Sequence, residues 1–245
     1  MYQARTYRGR VRGDGLTAFG VVVKETDLMI RAETDLTDIA RESVLRQRRY
    51  LEDCIRRHPA FARSLVPWSA PGREAGIIEA MTDAGKRAGV GPMAAVAGAI
   101  AEAVGRDLLA ESPQVVVENG GDIFCRKDGP ATVALYAGAS PLSLRVAIRL
   151  AARAEPICIC TSSGSVGHSL SRGRADAVCV VSPSGVLADA LATALGNRIR
   201  SGNDIEAAIE AGRRVAGVSG IVAVAGRRIG AWGDLEVVPL DGKRG

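Results

Sequence analysis

Two stretches of this chain align without a gap: Ala97-Gly-Ala-Ile-Ala-Glu-Ala-Val-Gly105 and Ala188-Asp-Ala-Leu-Ala-Thr-Ala-Leu-Gly196. Each copy has helical spacing and is followed downstream by a strand, a glycine-containing turn and another strand. That is the trace a duplicated α+β unit leaves, although alanine bias alone produces such matches. Hairpin-type connections outnumber strand–helix–strand crossovers along the chain, which disfavours a doubly wound parallel sheet. The expectation is therefore an α+β fold with antiparallel sheets packed by helices. A single domain over residues 1–245 would be built from two similar halves.

Local patterns fill in the elements. Phe19–Val23 and Leu28–Ile30 read as a hairpin through the polar turn Lys24–Asp27. Ala40, Val44, Leu51 and Ile55 recur at helical spacing over Thr37–Arg57, with Thr37 or Asp38 as cap and Pro59 beyond the end. Ser64–Arg73 is a loop by its Pro, Ser and Gly content. Helices follow over Ile77–Arg87 and Met93–Leu109, the latter entered through Pro92. Gly91, Gly98 and Gly105 lie seven apart, which would put them on one face and let another element approach closely. Gln114–Glu118 and the strand beginning at Ile123 flank Asn119-Gly-Gly-Asp122, a strong hairpin signal. A helix is expected near Leu142–Ala154. Strands follow at Ile157–Cys160 and Ala177–Val181, then helices at Val186–Leu195 and Asp204–Arg214. Ile221–Val224, a Gly226-Arg-Arg turn and a closing strand end the chain.

Composition narrows the function classes. At 245 residues and 47% hydrophobic, the chain has ample material for a core, and a net charge of +5 does not favour disorder. No apolar stretch approaches the eighteen or so residues of a membrane span, and the N-terminus lacks a signal-peptide apolar region. The five cysteines include no CxxC pair and no zinc-like spacing, which points to reduced thiols in the cytoplasm. The basic residues are accompanied by only 4% aromatics and no nucleic-acid module, so a phosphate-bearing small molecule suits the charge better than nucleic acid.

Asp189 and Thr193 are four apart, so their oxygens share one helix face. Beside an apolar stripe of Leu187, Leu191 and Leu195, they can form part of an oxygen site for magnesium completed by phosphate and water; the alternative is an Asp–Thr pair at a solvated helix edge. In the turn Asn119, Gly120, Gly121, Asp122, the glycines admit close backbone approach and Asp122 can accept from a ribose or base. The same residues equally suit a plain hairpin. Thr161, Ser162, Ser163 and Gly164 open a hydroxyl- and glycine-rich loop able to form an anion nest, and His168 within it can carry a proton near neutral pH. A surface histidine is the other reading. His58 reads as structural, and Cys158 with Cys160 as core residues rather than persulfide carriers.

Taken together, Val116-Val-Glu-Asn-Gly-Gly-Asp-Ile123, Thr161-Ser-Ser-Gly164 and Leu187-Ala-Asp-Ala-Leu-Ala-Thr-Ala194 resemble the ApbE-like flavin transferase superfamily in order and separation. Val23-Lys-Glu-Thr-Asp-Leu28, His58-Pro-Ala-Phe61 and Val90-Gly-Pro-Met-Ala-Ala-Val-Ala-Gly98 resemble its cytosolic branch. The resemblance implies a duplicated T-fold-like architecture. It also implies FAD and magnesium as cofactors and transfer of FMN to a threonine of a protein acceptor, with AMP released. Asp189 and Thr193 match the family's side-chain metal ligands, and Asn119–Asp122 its turn near the nucleotide. Where the transferases carry His-x-x-Asp-Pro, this chain has His168-Ser-Leu-Ser171. Two other readings stay open: a different enzyme on the same fold, in sulfur assimilation and homocysteine synthesis, and a non-catalytic flavin-nucleotide-binding protein. A homodimer and a monomer are both compatible with the small-residue helices.

Overall fold

The computed structural model describes residues 15–163 and 173–240. Strands β1 (Thr17–Val23) and β2 (Thr26–Ala32) pair antiparallel around Lys24, whose φ of +52° closes the turn. Helix α1 (Thr37–Arg57) buries Ala40, Ser43, Val44, Leu51 and Cys54, one stripe of a 3.6-residue repeat. Its start differs from expectation. Neither Thr37 nor Asp38 caps it; instead Asp35, two residues upstream, accepts from the Thr37 amide at 2.9 Å and from its hydroxyl at 2.6 Å.

A short helix α2 (Pro59–Arg63) follows, then the expected loop, then α3 (Gly76–Ala88), ended by Gly89 in the left-handed region. The loop is fastened at its far end. Arg57 donates to both oxygens of Glu74, at 2.9 and 2.7 Å, and His58 Nε2 lies 3.4 Å from the same carboxylate. Trp68 packs on the His58 ring and edge-on against Phe61. The structural role read for His58 therefore holds. The Arg57 guanidinium holds the Glu74 carboxyl below its ordinary 4.5, so this pair stabilises the fold in full above that pH and loses its effect as pH falls through the depressed value. Glu74→Gln is expected to lower the thermal midpoint at pH 7, and the gap from wild type to narrow below pH 4.5, as melts across pH will show.

A 3₁₀ turn (Pro92–Ala95) leads into α4 (Val96–Leu108). Then come β3 (Val115–Asn119), β4 (Asp122–Arg126), β5 (Ala131–Ala134), β6 (Val146–Leu150), β7 (Ile157–Ser162) and β8 (Ala177–Ser182). Helices α5 (Gly185–Gly196) and α6 (Ile205–Arg213) precede β9 (Gly220–Ala225), β10 (Arg228–Gly233) and β11 (Glu236–Pro239). The helix expected near Leu142–Ala154 is instead β6. Val146, Ile148 and Leu150 alternate with Ala147 and Arg149, and Ile148 and Leu150 drive the strand into a core that a helix would not reach.

Eight strands form one antiparallel sheet in the order β1-β2-β3-β4-β7-β8-β9-β10. The helices cover one face. The other face packs on a second sheet, β11-β6-β5, through Ile157, Ile159, Cys179 and Val222. Each half of the large sheet is a hairpin, a helical segment and a second hairpin: β1-β2, α1 to α4, β3-β4, and then β7-β8, α5-α6, β9-β10. That is a duplicated T-fold-like architecture. The duplication does not follow the register of the sequence similarity, however. Helix α1 packs on β1 and α4 on β3–β4, whereas α5 packs on β7–β8 and α6 on β9–β10. So α5 stands where α1 stands, and the aligned pair α4 and α5 are neighbours that pack on each other.

The glycines explain that neighbourhood. A Cβ at Gly98 would collide with the Gly185 carbonyl oxygen of α5, and one at Gly105 with the Phe124 ring. Gly91 also packs tightly, against the Ser64 carbonyl, but it precedes the 3₁₀ turn and does not share the face of the other two. Among the described residues, no single helix is long and apolar enough to cross a membrane.

Candidate functional site

Helix α5 begins with Ser184, whose hydroxyl accepts from the Leu187 amide at 3.3 Å. From Gly185 to Gly196 every residue is buried except Asp189, which is partly exposed. The solvated-edge alternative is thereby excluded: Thr193 is buried one turn along, and Leu187, Leu191 and Leu195 are all buried as the stripe requires. Asp189 is an opening in an otherwise sealed helix.

Its carboxylate is tied to the start of α4. Oδ2 accepts from the Gly98 amide at 2.8 Å, in the first turn of α4. Burial pushes the Asp189 carboxyl up to about 7, against the opposing pull of the Gly98 and Ala97 amides. Among the described residues, no lysine or arginine pairs with it.

The expected turn residues arrive at the same place. Asn119 ends β3 on its helix-facing side and donates from Nδ2 to the Ala97 carbonyl at 3.1 Å, so it shares the α4 terminus with Asp189. Asp122 opens β4, buried, directly opposite Cys160 of β7. Cys160 in turn donates to the Gly185 carbonyl at 3.5 Å. Burial raises the Cys160 thiol far above its ordinary value, with Asp122 and Asp189 adding to the rise, and burial and Glu102 raise Cys158. Both sulfurs are protonated core groups, as the core reading expected. Gly120 takes φ +70° in the turn, and Gly121 lies against the Thr161 carbonyl, its own carbonyl accepting from the Thr161 amide at 3.0 Å.

The loop residues divide. Ser162 is buried on the helix side, near Gly196. Thr161 turns its hydroxyl to the opposite face, where it bonds the Cys179 thiol, so its backbone and Cβ, not its hydroxyl, meet the turn. Ser163 is the last described residue of this segment, and Gly164 and His168 lie outside the described residues.

Sequence reasoning missed Glu102. From α4 its Oε2 accepts from the Gly185 amide at 2.7 Å and the Val186 amide at 3.4 Å, which satisfies the first amides of α5. A signal existed, because in the gapless alignment Gly98 and Glu102 stand where Asp189 and Thr193 stand.

Chemically, Asp189, Thr193 and Asp122 offer hard oxygens. No set of three or more His, Cys, Asp or Glu side chains among the described residues forms a metal cage. A few protein oxygens completed by phosphate and water are what magnesium accepts, so the residues fit that ion. A separate cleft of about 810 Å³ between α6 and β10, lined by Ile205, Ile209, Arg228 and Trp232, contains none of these residues.

A family profile described as AbpE bacteria matches residues 8–216. The chain is 42% identical over 215 residues to a UPF0280 protein of Methanosphaerula palustris, covering 86% of this chain and 89% of that one. It is 35% identical over 231 residues to a UPF0280 protein of Methanococcus maripaludis, covering 91% and 93%. Its fold is similar to the flavin transferase ApbE from Vibrio cholerae at 12% identity (TM-score 0.59, covering 92% of this chain and 97% of that one). A likeness of the same kind links it to the Pseudomonas stutzeri flavinyl transferase ApbE at 13% identity (TM-score 0.55, 89% and 94%).

Proposed function

Because this chain belongs to the ApbE-like superfamily, we propose that it binds FAD with magnesium and transfers FMN to a threonine of a target protein, releasing AMP. The observation that carries the reading is Asp189: the one partly exposed residue of a buried helix, its carboxylate fixed on the Gly98 amide at the α4 terminus. Asp189 and Thr193 are the side chains that would hold the ion, which would supply charge neutralisation for cleavage of a phosphoanhydride.

The chain's own residues do the rest. Gly120 and Gly121 keep side chains out of the way of the nucleotide, and Asp122 accepts from a ribose or base donor. Asn119 is committed to Ala97, so it holds the α4 terminus in place beneath the ligand. The acceptor threonine oxygen forms a bond to the FMN phosphorus, the bond from that phosphorus to the AMP oxygen breaks, and the hydroxyl proton passes to a base. His168 is the candidate for that base. The five free cysteines support a cytoplasmic place of action.

Incubation with FAD, magnesium and threonine-bearing acceptor proteins is expected to yield AMP and a fluorescent flavin that stays on the acceptor through denaturing electrophoresis. FAD that binds yet yields neither product with a broad acceptor panel would contradict transfer.

A further inference from the structure

The two neighbouring helices exchange acids. Glu102 of α4 reaches the first amides of α5, and Asp189 of α5 reaches the Gly98 amide of α4. Between the two bonds Gly98 and Gly185 are in direct backbone contact: a Cβ at Gly185 would lie 2.9 Å from the Gly98 carbonyl oxygen and 3.3 Å from the Glu102 Cβ. Neither helix can shift along the other without breaking a carboxylate–amide bond. Gly185 is also held by Cys160 through its carbonyl, so the α5 terminus is fixed from the sheet side as well.

Glu102 is itself oriented. Its Oε1 accepts from Arg106 Nε at 2.9 Å one turn on, which aims Oε2 at α5. Asp189 lies one turn beyond Gly185, so the rotation and height of its carboxylate follow from where the α5 terminus sits.

We propose that Glu102 is a positioning residue for the Asp189 site: by clamping the Gly185 and Val186 amides it holds the Asp189 carboxylate where a divalent cation is to be met. The inference rests on the cation-site reading above. Glu102 does not contact the ion; it acts through α5. Residues that orient ligands in this way are worth about 10- to 100-fold in metal affinity.

The test uses the full chain with manganese as probe, read by electron paramagnetic resonance, together with amide hydrogen exchange at Gly98. Glu102→Ala is expected to weaken manganese binding at least about tenfold and to speed exchange of the Gly98 amide, a group Glu102 does not touch. Glu102→Gln keeps an acceptor oxygen for the α5 amides and is expected to restore both. Should Glu102→Ala misfold, the comparison of Glu102→Gln with wild type and with Glu102→Asp, whose shorter arm draws the carboxylate back, carries the test. Faster exchange confined to Gly185 and Val186, with manganese affinity and Gly98 unchanged, would overturn the proposal and leave Glu102 a local helix cap. A wild type that binds no manganese would instead defeat the cation reading, and Gly98 exchange would still report whether Glu102 sets the position of Asp189.

Discussion

Gly98→Ala is expected to destabilise the fold by about 3 kcal/mol, the upper range for overpacking a close contact. For a chain of this size that lowers the thermal midpoint by about 6–12 °C. The new methyl would meet the Gly185 carbonyl and approach the Asp189 Cβ to 2.8 Å, and both obstacles belong to a helix buried on nearly all sides. Alanine's better helix propensity, about 1 kcal/mol over glycine, offsets only part of this. Relief would require α5 to move, so loss of stability and loss of ligand affinity should appear together. Gly76→Ala, at the start of α3 with nothing near the added carbon, is the control and should melt like wild type. A Gly98→Ala protein as stable as the control would mean that α4 and α5 do not meet here.

The second large effect concerns charge. Burial raises the Asp189 carboxyl from 3.8 to about 7, so between those pH values the folded protein holds a proton there that the unfolded chain has lost. Stability contributed at this position therefore falls as pH rises from about 4 to 7 and stays low above it. Each tenfold rise in proton affinity is worth about 1.4 kcal/mol, so ionising this group costs at most about 4 kcal/mol. Asp189→Asn removes that cost and keeps an oxygen for the Gly98 amide, although a neutral acceptor bonds it less strongly. We expect the variant to be more stable than wild type by about 1–2 kcal/mol at pH 8 and no more stable at pH 4. Magnesium should raise the wild-type midpoint and leave that of the variant unmoved. An Asp189→Asn protein less stable than wild type at pH 8 would show the carboxylate to be a structural anchor rather than a stored charge.

Much of the fold is legible in the sequence because its signals are local. The β1–β2 and β3–β4 hairpins announce themselves by alternation and turn chemistry, and α1 by its apolar stripe. The segment containing β6 misleads because Leu142, Ala147, Ala151 and Ala154 mimic a helical pattern, while the partners that make it a strand lie far along the chain in β5 and β11. The same limit explains the repeat. Helices α4 and α5 pack on each other rather than standing in equivalent places, and alanine bias is enough to align them. At the site, i,i+4 spacing is enough to single out Asp189 and Thr193. Burial of α5 on every side is less legible, because the stripe of Leu187, Leu191 and Leu195 announces one covered face while the alanines around the rest would tolerate solvent. Glu102 is hidden for another reason: its bond spans 83 residues and its local partner, Arg106, makes it look like an ordinary surface pair.

Asp189 and its neighbours are read here as a cation-dependent site for a flavin nucleotide. Calorimetric titration of the wild-type chain with FAD, in magnesium and again after chelation, tests that reading most directly. Saturable binding that requires magnesium is the expected result. Absence of binding under both conditions, or binding indifferent to the ion, would contradict it.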